Sequence, residues 1–163
     1  MAFTAGSKLK ASDLVALDQR GTYTRYTGTT TPIVHSAWTA IPFATLAQGT
    51  GLGLSVSGDN KTFTMTKAGV WEVKFMALAN TSANQTGCVF ALAATTAFST
   101  YFAQQGTPLL AGASQASVTY EMNSDGTGTI VCGVFLVVST GTTDSALLTS
   151  PMAPRLTFKW ISE

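Results

Sequence analysis

The chain has 163 residues, 10% of them charged and 45% hydrophobic, with a formal net charge of +1. Soluble domains usually carry about a quarter charged residues, so much of this surface is Thr, Ser, Ala, Gly and backbone. That balance makes no electrostatic case for nucleic acid, which would want a basic patch, and suits flat contacts with other proteins better than a solvated catalytic cleft.

The size is that of one domain able to bury a proper core, and no Pro-rich hinge, charge block or polar linker divides it. Residues 1–8 (MAFTAGSK) lack the apolar centre of a signal peptide. The longest apolar stretch, residues 130–138, is interrupted by Gly133 and far too short to span a bilayer as a helix. A soluble protein made in the cytosol, with no membrane or nucleic-acid partner, is the expectation.

Residues 12–20 read as a short helix. Ser12 caps the free N–H groups, Asp13 suits the positive end of the dipole and Gly21 stops it. Leu14, Val15 and Leu17 form its apolar face. A helix this short is unstable alone in water, so it must dock on something. The Thr-rich segment 22–32, with Tyr23 and Tyr26, reads as an extended arm. Residues 1–32 are therefore expected to form an anchoring arm and residues 33–163 a β body.

From Ile33 onward, short β runs alternate with Gly, Asn, Asp and Ser turns. Strands are expected at 34–41, then as a hairpin at 52–56 and 62–66 around Ser57-Gly58-Asp59-Asn60. The clearest is 70–77, where Trp71, Val73, Phe75 and Ala77 share one face and Glu72 and Lys74 the other. Further strands are expected at 87–94, 100–104, 117–122, 129–139, 146–149 and 155–161. The last alternates Leu156, Phe158 and Trp160 with outward residues and should lie inside a sheet. The run 130–138 is apolar on both faces, and its second cover is expected to be another copy of the protein. Ile130, Cys132, Val134, Leu136 and Val138 are accordingly the expected interface between copies. The sum is all-β: an antiparallel sandwich or jelly roll with a short N-terminal helix and arm.

Catalytic chemistry finds little support. The single histidine, His35, has no neighbouring Cys or second His, and a general base needs an orienting partner. No GxSxG elbow exists, and the scattered carboxylates form no close pair in sequence. Asp59-Asn60 and Ser124-Asp125-Gly126 could offer oxygens to calcium but match ordinary turn chemistry better. Gly49-Thr50-Gly51-Leu52-Gly53 neither follows a parallel strand nor opens a helix, so it is no phosphate loop. Cys88 and Cys132 read as buried thiols, with a lone disulfide as the alternative. No catalytic, cofactor or metal residues are expected. Lys and Arg are scattered singly along the chain, as solvated or paired charges would be.

Two resemblances add to this reading. Phe3, Ala5-Gly6, Leu9, Ala11, Asp13-Leu14 and Leu17 resemble the opening of many tailed-bacteriophage virion proteins, departing at Val15, where that motif commonly has Asn. The body, through Ser36–Phe43, Ala68-Gly69-Val70-Trp71-Glu72-Val73 and Leu156–Trp160, resembles the C1q/tumour-necrosis-factor jelly roll. That likeness implies a compact homotrimer that binds and does not catalyse. Together they imply a virion structural protein made in the host cytoplasm: a trimeric capsid decoration protein seated on the major capsid protein. The alternative is a tail fibre or spike protein that recognises the host surface. Phe3, Leu9, Leu14, Val15, Leu17, Tyr23 and Tyr26 would carry the anchoring.

Overall fold

The computed structural model describes residues 23–28, 32–34, 37–51, 53–80, 85–108, 113–138, 145–148 and 153–162. The helix expected at 12–20 and His35 lie outside them. The strands are β1 (Tyr23–Thr27), β2 (Pro32–Val34), β3 (Trp38–Ala40), β4 (Thr45–Gln48), β5 (Leu54–Val56), β6 (Thr62–Met65) and β7 (Gly69–Asn80). They continue as β8 (Gln85–Ala93), β9 (Tyr101–Pro108), β10 (Ala113–Ser124), β11 (Gly128–Val138), β12 (Ser145–Leu148) and β13 (Arg155–Ser162).

Two antiparallel sheets face each other. The first runs β2-β12-β7-β13-β1-β4, with β10 on the other side of β7. The second runs β5-β6-β11-β8-β9, with β3 beside the later half of β11. Period-two alternation fixes which side chains point inward. In β7, Trp71, Val73, Phe75 and Ala77 are buried while Glu72, Lys74 and Met76 are only partly covered. In β13, Leu156, Phe158 and Trp160 are buried. Across from them stand Phe63 and Met65 of β6, Cys88, Phe90 and Leu92 of β8, and Ile130, Cys132 and Val134 of β11. Phe63, Phe158 and Tyr26 form the aromatic centre: Tyr26 meets Phe63 edge-on at 4.8 Å, and Phe63 lies 5.2 Å from Phe158.

The hairpin β5–β6 forms as its sequence predicts. Ser57 N–H donates to Thr62 O at 2.9 Å, and Asn60 takes the left-handed conformation (φ 59°) that asparagine tolerates in turns. Strand β13 lies between β7 and β1, inside its sheet. The segment read as an arm is different. Tyr23–Thr27 is a strand of the first sheet, paired with β13 on one side and β4 on the other. The sandwich therefore includes Tyr23–Thr27, ahead of Ile33. Its inward residues are Thr24 and Tyr26, both polar-headed, so the stretch shows no hydrophobic alternation.

Candidate functional site

Three residues of the expected interface row on β11 lie inside the sandwich. Ile130, Cys132 and Val134 have no solvent exposure in the single chain. A side chain already sealed in its own core has no area left to bury against a copy, so these three are core residues, not interface. Leu136 and Val138 stand in the same strand opposite Cys88 and Gln85. Tyr26, expected to anchor, is likewise core at 8% exposure. Tyr23 stands opposite Lys159 in the sheet. Phe3, Leu9, Leu14, Val15 and Leu17 lie outside the described residues.

At Val131 and Gly133 the second cover of β11 comes from the chain itself. Phe98, in the β8–β9 connection, lies on the outer side of the second sheet and is buried with Ala93 and Val131, while Trp38 and Ala40 pack against them. Its ring stacks on Trp38 at 4.9 Å and 15°. It sits directly over Gly133, where an added Cβ would stand 2.2 Å from the ring. Phe98 also holds φ at 48°, a left-handed conformation that costs an L-residue roughly 1–2 kcal/mol. The apolar packing offsets that strain. Tyr101 and Phe135 flank Trp38 at 5.1 and 5.5 Å.

Along this outer face run Thr62, Thr64, Val89, Ala91, Thr129, Val131, Gly133, Phe135 and Val137, and among the described residues no charged side chain stands in this row. Tyr101 and Val137 are exposed by 37% and 39%, at opposite ends of the face.

The outward face of the first sheet is the opposite case. Strands β1, β13 and β7 set out a three-by-three grid: Tyr23, Lys159 and Glu72 in one row; Arg25, Thr157 and Lys74 in the next; Thr27, Arg155 and Met76 in the third. Thr157 thus has Arg25 and Lys74 beside it and Arg155 and Lys159 before and after it. Lateral neighbours in a sheet stand about 4.5–5.5 Å apart at Cβ. Same-face neighbours along a strand stand about 6.6 Å apart. Glu72 is the single carboxylate of the grid, and on its other side it faces Glu121 of β10. The Nε of Arg25 is buried and has no hydrogen-bond partner. In the sequence these cations are scattered. Only strand register brings them together.

The polar groups of the β5–β6 and β10–β11 turns serve the fold. Asp59 accepts from the Ser57 hydroxyl and, at 3.2 Å, from Lys61 N–H, which hold its carboxyl below the usual range. Asp125 accepts from the Thr127 hydroxyl at 2.6 Å and from Thr127 N–H at 2.9 Å, with the same effect. Both carboxylates are engaged by their own turns. Ser124 donates to Met65 O and accepts from Gly126 and Gly128 N–H, tying the β10–β11 turn to β6. Cys88 and Cys132 are free buried thiols. Burial pushes Cys88 up to about 11 and raises Cys132 as well.

No protein-family model matches the chain, and no curated protein matches it by sequence. Among solved structures it is similar to murine APRIL. The crystal structure at pH 5.0 gives a TM-score of 0.55 at 10% identity, covering 86% of this chain and 100% of that one. The structure at pH 8.0 gives 0.53 at 12% identity, covering 85% and 98%. At such identities the likeness shows the fold alone, and that fold is the jelly-roll β-sandwich of the tumour-necrosis-factor type.

Proposed function

We propose that this chain is a non-enzymatic structural protein of a bacteriophage virion: a homotrimer that decorates the outer capsid surface and stabilises the shell. The observation that carries the reading is the uncharged, aromatic outer face of the second sheet. Depletion of charge with enrichment in Trp, Tyr and Phe is the composition of protein interface cores. The phage-like opening, with Phe3, Leu9, Leu14, Val15 and Leu17 as anchoring residues, supports the same reading, as does the jelly roll. The contact between copies then uses a surface other than Ile130, Cys132 and Val134. Contacts made only in the assembled shell stabilise it by mass action, because they favour the one state that offers them.

The test has two parts. Sedimentation equilibrium of the purified chain should give a trimer, and quantitative mass spectrometry of particles should give copies on the scale of the capsid lattice. Only a few copies per particle would assign the chain to a tail fibre or spike instead. Removal of residues 1–21, which stops short of β1, should leave a folded body that no longer attaches to particles. Full decoration by the truncated chain would refute the anchoring role.

A further inference from the structure

We infer that the outward face of the first sheet holds an oxyanion site centred on Thr157, for a divalent tetrahedral anion of the sulfate or phosphate class, free or as an ester. The chain has only nine Lys and Arg residues, and Arg25, Lys74, Arg155 and Lys159 all flank one hydroxyl-bearing residue. Like charges on neighbouring strand positions repel. Nothing in the grid offsets them except Glu72, which sits at one corner beside Lys159 and faces the like charge of Glu121 on its other side. A bound dianion would turn this repulsion into attraction.

Arg25 supplies the second observation. Its Nε–H is closed off from solvent and meets no acceptor, a costly arrangement for a buried donor. An outward turn of the Arg25 side chain would bring this donor to an anion oxygen over Thr157, so that binding supplies the missing acceptor. The surroundings also define the ligand. Cationic residues stand at register positions on four sides of Thr157, which suits the several oxygens of a tetrahedral anion better than the two of a carboxylate. The site is a point and not a stripe: beyond it on β10 lie Ser117, Thr119 and Glu121, so a polyanionic strand would find no continuing track. This inference is independent of the virion reading.

The test is calorimetric and NMR titration of the full chain with sodium sulfate and sodium phosphate, against sodium chloride at matched ionic strength. Saturable binding of the divalent anions is expected, with shifts at Arg25, Lys74, Arg155, Thr157 and Lys159. Glucose 6-sulfate and glucose 6-phosphate distinguish an ester from the free ion: tighter binding of either assigns the site to a sugar ester. Arg25→Gln should weaken binding about tenfold through loss of a charge-assisted hydrogen bond. Thr157→Val should weaken it less, and Lys61→Gln, in the β5–β6 turn, should leave it unchanged, with all three folded by circular dichroism. An equal response to chloride, or an equal loss in Lys61→Gln, overturns the site. So does sulfate dissociating an oligomer that Glu121→Gln also dissociates, since the cations would then meet a second copy's carboxylates.

Discussion

The two outward faces of this sandwich are built on the same pleated backbone and have opposite chemistry. On the first sheet, Arg25, Glu72, Lys74, Glu121, Arg155 and Lys159 point away from the core. On the second, the same positions carry Thr, Ala, Val, Gly and aromatic rings, and the chain folds Phe98 back over Gly133 to cover part of them. The low overall charge is therefore uneven: one face is charged and the other bare. A bare face must be covered by something, and at its centre the molecule supplies the cover itself.

The sharpest way to break this contrast is to place a charge on the inner row of β11. Val134→Asp would bury an unpaired carboxylate, which costs about 3–5 kcal/mol, and should unfold the single chain in denaturant titrations. A stable, folded monomer would mean that the row faces a copy after all. Thr119→Asp, exposed on β10, should change stability by less than about 0.5 kcal/mol.

The next effect tests the self-made cover. Phe98→Ala should cost about 3 kcal/mol, and Gly133→Ala about 1–3 kcal/mol by forcing a Cβ against the ring. The double variant should cost less than the sum, because the new methyl then enters space the ring has left. Strict additivity in thermal melts would show that the two do not share one space.

Alkaline titration asks whether the inner row is sealed. Below the ordinary thiol value of 9.0, Cys88 is protonated in both states. As pH rises from there to about 11, the unfolded chain loses the proton and the folded chain keeps it, so stability falls. Cys88→Ala should make that decline shallower, with buried Cys132, raised in the same direction, contributing the remainder. The smallest effect separates two glutamates in one row. Glu72→Gln removes a carboxylate standing beside Lys159 and should destabilise by about 0.2–1 kcal/mol. Glu121→Gln relieves a like-charge pair and should be neutral or slightly stabilising.

Much of the fold was legible in the sequence because β7, β11, β13 and the β5–β6 hairpin announce themselves by alternation or turn chemistry. Strand β1 was not, since Thr24 and Tyr26 put hydroxyl-bearing side chains on the inward face. Strand β4 is exposed along its whole length, so burial imposes no pattern on Thr45–Gln48. The doubly apolar run of β11 is covered on its inner face by the sandwich core and, at Val131 and Gly133, on its outer face by Phe98, a cover that alternation does not reveal. Phe98 lies far from it in sequence, in a connection whose other residues are mostly small and polar. The cation grid was illegible for a related reason. Arg25, Lys74 and Thr157 become neighbours only through strand pairing, and single-sequence spacing carries no trace of that.

The position of β13 has a consequence for biogenesis. Residues 155–162 are the partner of both residues 70–76 and residues 23–27, so a nascent chain emerging from the ribosome cannot close the first sheet until they appear. Until then β1 and β7 each expose a ladder of unsatisfied backbone groups, the kind of template on which unrelated chains pair and aggregate. Non-local pairing of this kind also slows folding. Expression at reduced temperature, or with holdase chaperones in excess, should therefore raise the soluble yield more than any stabilising surface substitution.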